Sequence, residues 1–184
     1  MVATATIKDD TGGTANTPSG GGTTVTNLRY REVDNNTQDL ANPVTIPTAG
    51  TKYSFWKHNW IEFTGTFTQI DTVNWFVTTF DWTGATLEIG DGTQTHTAAL
   101  DTGYDPAVGL NVLTTHDTIT TLTDAGATYT NSGSGRSVSI SEAGNVVDAA
   151  GESSDYFVTN VKLGTTATSG TQPAKTVTVE FDEI

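Results

Sequence analysis

The chain has 184 residues, a length that fits one domain with a substantial core. It has no cysteine, which excludes disulfides, thiolate nucleophiles and Cys-ligated metal. Its formal net charge is −13, from 21 acidic residues against 8 Lys and Arg. Acids scattered along a chain in this way disfavour direct contact with nucleic acid or an anionic membrane.

Thr is the commonest residue, 39 of 184, beside 19 Gly, whereas Met and Glu number only one and seven. β-Branched and aromatic residues suit pleated, half-buried surfaces, and Thr, Gly, Asn and Asp supply turns. The composition therefore points to strands joined by short turns. The acidity fits a high-salt habitat, where ions screen self-repulsion, and equally an ordinary dispersed surface protein. Residues Met1 to Asp10 lack the basic-then-apolar pattern of a secretory signal, and no run approaches the ~20 apolar residues of a membrane span.

In chain order, residues 9–24 read DDTGGTANTPSGGGTT and contain no large apolar side chain. They have little to bury, so residues 1–24 are expected to form an extended N-terminal arm ahead of a domain at 25–184, with residues 9–24 ordered by contact with a neighbouring subunit or, alternatively, folded back over their own sandwich. VTNLRYREV, from Val25, predicts the first strand. Pro43 to Pro47 (PVTIP) carries a proline at each end and suits a sheet edge.

From Tyr53 to Phe80 the pattern is strongest. Ile61, Phe63, Gly65 and Phe67 alternate with Glu62, Thr64, Thr66 and Thr68, a period of two that no amphipathic helix produces. Val73, Trp75 and Val77 repeat it with Phe76 on the opposite face, which predicts a strand that is either central or covered on both sides. The expected core is Ile61, Phe63, Phe67, Val73, Trp75 and Val77. Ala85 to Ile89 leads to a predicted turn at Gly90-Asp91-Gly92, then weaker strands at 94–100, 107–114, 118–123, 128–131 and 136–141. Ser141 to Ala150 fits a short helix or, through Gly144 and Asn145, a hairpin. Tyr156 to Leu163 and the closing KTVTVEFDEI complete the set. About ten short strands indicate an all-β fold, a single jelly-roll-like β-sandwich with the arm attached.

Chemical motifs are sparse. His58, His96 and His116 show no metal-site spacing, and no GxSxG, phosphate loop or dinucleotide fingerprint occurs. Asp91, or Asp101 with Asp105, could present oxygens to a hard cation, though Asx-turns explain both segments. Metal binding thus stays open, while no catalytic or cofactor-binding residue is assigned and no cofactor is expected. Trp56, Trp60 and Trp82 are candidate sugar-stacking surfaces, against the plainer reading that the four tryptophans belong to the core and its rim.

Two stretches, NNTQDLANPVTIPTAGTKYSFWKHNWIEF (35–63) and GTQPAKTVTVEFDEI (170–184), resemble proteins encoded among the structural genes of tailed viruses and proviruses of archaea and bacteria. The resemblance lies in layout: a "DNTQD…NP…IP"-like opening before an aromatic strand block, and a Pro-containing loop before a last strand ending near "DE". It implies a non-enzymatic virion protein, such as a capsid decoration, turret or tail component. Such a protein would act as a homo-oligomer among other virion structural proteins, with a host-surface glycan as a further partner and no direct nucleic acid or membrane contact. The alternative is a carbohydrate-binding module or adhesin using the tryptophans, and an enzyme such as a glycan hydrolase ranks third.

Overall fold

A computed structural model of the chain describes residues 2–10, 22–32, 37–41, 43–54, 57–77, 80–95, 136–138, 140 and 144–184. Nine strands run through them: β1 (Val2–Asp10), β2 (Thr23–Thr24), β3 (Thr51–Tyr53), β4 (Lys57–Thr66), β5 (Ile70–Val77), β6 (Ala85–Thr95), β7 (Arg136–Ser137), β8 (Asp155–Gly164) and β9 (Val177–Glu183). There is no helix among the described residues. All strand pairs are antiparallel, in a larger sheet ordered β2-β1-β4-β8-β3 with β6 also on β8, and a smaller one ordered β7-β5-β9. The fold is all-β, with two sheets packed together like a sandwich.

β8 organises the larger sheet. β6 runs along one of its edges, from Ala85 opposite Leu163 to Asp91 opposite Phe157. The other edge is shared: β3 pairs with Lys162 to Gly164, and β4 with Phe157 to Thr159. Serine hydroxyls repair the ladder where this pairing breaks. Val161 N–H donates to Ser54 Oγ at 2.9 Å, and Ile61 N–H donates to Ser154 Oγ at 3.0 Å, so buried backbone donors stay satisfied across both irregularities.

The period-two pattern does build the core. Ile61, Phe63, Val73, Trp75 and Val77 are buried, and Phe67 packs partly buried against them. Fully burying a side chain of this size contributes about 1.5–3 kcal/mol. β5 is central among the described strands of its sheet, between β7 and β9, and Phe76 on its second face is partly buried. Ile70 and Val73 are both buried although three residues apart, because a register shift between Ile70 and Thr72 changes the phase of the alternation.

Several expectations need correction. Residues 2–10 do not belong to an arm: they pair with β4 along their whole length, from Val2 opposite Thr66 to Asp10 opposite His58. Their Ala3, Ala5 and Ile7 supply the core-facing alternation that makes a strand. At the far end of the expected arm, Thr23 and Thr24 pair back onto Asp9 and Lys8 of the same chain. The segment 25–32 is not a strand. Leu28 and Tyr30 pack against the core, while Arg31 donates to the Thr37 carbonyl and the Asp39 carboxylate. Pro43 to Pro47 forms no strand either, since each proline lacks a donor for a ladder. Gly90-Asp91-Gly92 is not a turn: β6 runs through it, with Gly90 and Asp91 paired to Val158 and Phe157 of β8 and a register shift following Asp91.

At 144–150 the helix alternative fails. Gly144 and Asn145 take φ values of 86° and 57°, a left-handed pair that turns the chain so that Val147 bridges Ile70. The predicted strands at 107–114, 118–123 and 128–131 lie outside the described residues.

Candidate functional site

The alternation that buries Ile61 and Phe63 also carries Lys57 and Asn59 to the same face of β4. Likewise, the alternation of Ala3, Ala5 and Ile7 carries Asp9 inward on β1. Register then sets Asp9 opposite Asn59, and Lys57 opposite Thr159 of β8. All four are fully buried, at 0 % exposure.

Within this cluster Lys57 Nζ lies 3.9 Å from Asp9 Oδ2. Asn59 Nδ2 donates to Asp9 Oδ1 at 3.1 Å and to the Lys8 carbonyl at 3.2 Å. Thr159 Oγ1 donates to Asn59 Oδ1 at 3.4 Å, and Tyr30 completes the chain by donating its hydroxyl to Thr159 Oγ1 at 2.9 Å. Burial pushes the Tyr30 phenol up, the Thr159 hydrogen bond draws it part of the way back, and the Asp9 charge adds to the rise. Taking two charges out of water costs several kcal/mol per ion, so a pair of this kind persists only inside a network that satisfies its other atoms.

A second polar group is formed on the opposite face. Glu88 is 1 % exposed and sits opposite Asn160, with Lys162 Nζ 3.8 Å from its Oε1. Burial raises the Glu88 carboxyl, and the Lys162 charge lowers it only in part. Lys162 also lies 5.8 Å from the centre of the Tyr53 ring. Glu32 behaves in the opposite way: burial acts to raise it, but hydrogen bonds from Lys52 and from the Thr45 N–H and hydroxyl outweigh that and hold it low.

The candidates singled out from the sequence fare unevenly. Trp60 is 3 % exposed and so offers no platform for a sugar. Trp82 is half-buried, donates its indole N–H to the Pro173 carbonyl at 2.9 Å and leans on Phe80 at 4.8 Å. Trp56, His96, His116, Asp101 and Asp105 lie outside the described residues. His58 is buried in β4, and Asp91 belongs to β6. Among the described residues no group of three His, Asp or Glu side chains could hold a metal ion. Sequence reasoning missed the Asp9–Lys57–Asn59–Thr159–Tyr30 chain, yet a signal was there: Lys57 and Asn59 are in phase with Ile61 and Phe63.

Fold and site together define a two-sheet, all-β protein whose best-connected polar residues are sealed inside it. No family model matches the chain, and no curated protein or solved structure matches it either.

Proposed function

We propose that this chain is a non-enzymatic structural protein of a virion, a capsid decoration, turret or other surface component that stabilises the particle by self-association. The observation that carries this reading is the inversion of its polar chemistry. Lys57, Asp9 and Asn59 are closed to any substrate, while the chain as a whole carries a net charge of −13, which would keep particles dispersed. The resemblance of residues 35–63 and 170–184 to virion structural proteins supplies the setting. A jelly-roll topology belongs to the same proposal, supported by antiparallel neighbours that are not consecutive in sequence, such as β1 with β4 and β4 with β8.

With residues 22–24 folded back on their own sheet, assembly falls to other surfaces. Among the described residues β9 is an edge strand of the smaller sheet, and its Glu180 and Asp182 are exposed. Charges on an edge oppose strand pairing at low ionic strength, so association through it should strengthen as salt screens them. The test is light scattering of the purified chain across NaCl concentrations, together with antibody labelling of purified particles. Salt-strengthened oligomers and labelled particles are expected. A chain that stays monomeric at every salt concentration and is missing from particles overturns the reading.

A further inference from the structure

Lys57 and Asp9 meet where no solvent reaches. Asp9 faces Asn59 across the β1–β4 ladder, so Lys57, two residues along on the same face, is its diagonal neighbour and within reach of a long side chain. Their Nζ–Oδ2 separation of 3.9 Å exceeds the roughly 2.7–2.9 Å of a charge-assisted hydrogen bond, so the two groups lie side by side as a buried ion pair without a direct hydrogen bond between them. Condensation would remove both charges permanently.

We propose that Lys57 Nζ and Asp9 Cγ condense into an intramolecular isopeptide bond that fastens β1 to β4. One proton passes from the ammonium to the carboxylate, giving an amine and a carboxylic acid. The Nζ lone pair attacks Cγ, the Cγ–Oδ2 bond breaks, and Oδ2 leaves as water with the two protons the nitrogen has given up. Oδ1 remains as the amide oxygen. No oxidant, reductant or further reactant is needed, and the opposite charges cancel.

Three conditions for the reaction are met in the structure. The sheet holds nucleophile and electrophile side by side, converting a bimolecular condensation into a unimolecular one. Asn59 Nδ2, 3.1 Å from Oδ1, is aimed at the oxygen on which negative charge develops during attack. The surrounding core, including Phe157 and Ile61 at 0 % exposure, keeps out the water that would reverse the reaction. A bond here would keep the N-terminal strand from peeling off the sheet. It is independent of whether the chain is part of a virion.

Intact-mass spectrometry of the folded, full-length chain tests the proposal. The expected mass is lower than the sequence mass by one water, and digestion should yield a branched peptide joining the segments around Asp9 and Lys57. Lys57→Met should show the full mass of its own sequence. The proposal is overturned if folded wild-type protein, with a β-type circular dichroism spectrum, keeps its full mass after prolonged incubation. It is equally overturned if the loss persists in Lys57→Met, or if fragmentation places it at Asp91-Gly92, where dehydration to a succinimide gives the same change. The wild-type measurement decides even if Lys57→Met fails to fold. Asn59→Ala should slow the appearance of the lighter species after refolding, and an unchanged rate removes Asn59 from the reaction.

Discussion

Gly22 lies flat against the indole of Trp60: a Cβ built on it would fall 1.9 Å from Cη2 and 2.3 Å from Cζ2 of the ring. This close approach lets a Gly- and Thr-rich segment, poor in apolar groups of its own, cover an aromatic that would otherwise face water. Trp60 is 3 % exposed and has little room to yield. Gly22→Val should therefore detach β2 and cost about 1–3 kcal/mol by overpacking. Thermal melting and exchange of the Val25 amide, which bonds the Ile7 carbonyl at 3.1 Å, report it. Unchanged stability and protection would show that the segment is not held by this contact.

Removing residues 1–10 should abolish cooperative folding, because it takes away the strand that pairs with β4 from His58 to Thr66 and the carboxylate beside Lys57. Breaking a buried ion pair by deleting one partner alone costs about 3–5 kcal/mol. A truncated protein that melts sharply near the wild-type temperature would contradict the placement of β1.

Phe63 meets Phe181 edge to face, with ring centres 5.3 Å apart at 75°, and joins the larger sheet to β9 of the smaller one. Phe63→Ala should cost about 3–5 kcal/mol, since Phe63 is fully buried. Phe181→Ala should cost less, because that ring is only half-buried. Denaturant unfolding of both variants and their double mutant should reveal a coupling of about 0.5–1.5 kcal/mol. Additive effects would mean the rings do not interact.

Glu88 gives a pH-dependent prediction with a definite sign. Its carboxyl is raised in the folded state, so its favourable contribution is complete below the unfolded carboxylate range near about pH 4 and is lost as pH rises through the folded value. Glu88→Gln should match wild type in acid and melt at a higher temperature at neutral pH. A variant less stable than wild type at neutral pH would show that the Lys162 attraction outweighs burial.

The excess of 13 negative charges predicts a salt response of the whole fold. Raising NaCl from ~0.01 M to ~1 M shortens the screening length from about 30 Å to about 3 Å, and the melting temperature should rise. A flat or falling response would remove the argument for adaptation to high salt.

The class of the fold and most of its central core are legible in the residue pattern alone. In β4 and β5 the side-chain period of two is a local property of extended backbone, so Ile61, Phe63, Val73, Trp75 and Val77 could be assigned inward without knowing any partner strand. The place of β1 depends on its pairing with β4. VATATIKDD has small apolar residues whose alternation gains meaning once Ala3, Ala5 and Ile7 lie beside the core-facing side of β4. The same holds for the polar cluster. Lys57 and Asn59 are in phase with the core, but that they are tolerated there follows from Asp9, 48 positions before Lys57 in the chain, and from Thr159 and Tyr30. Long-range register sets those neighbours, and register is fixed by how two faces bury against each other, which no single segment encodes.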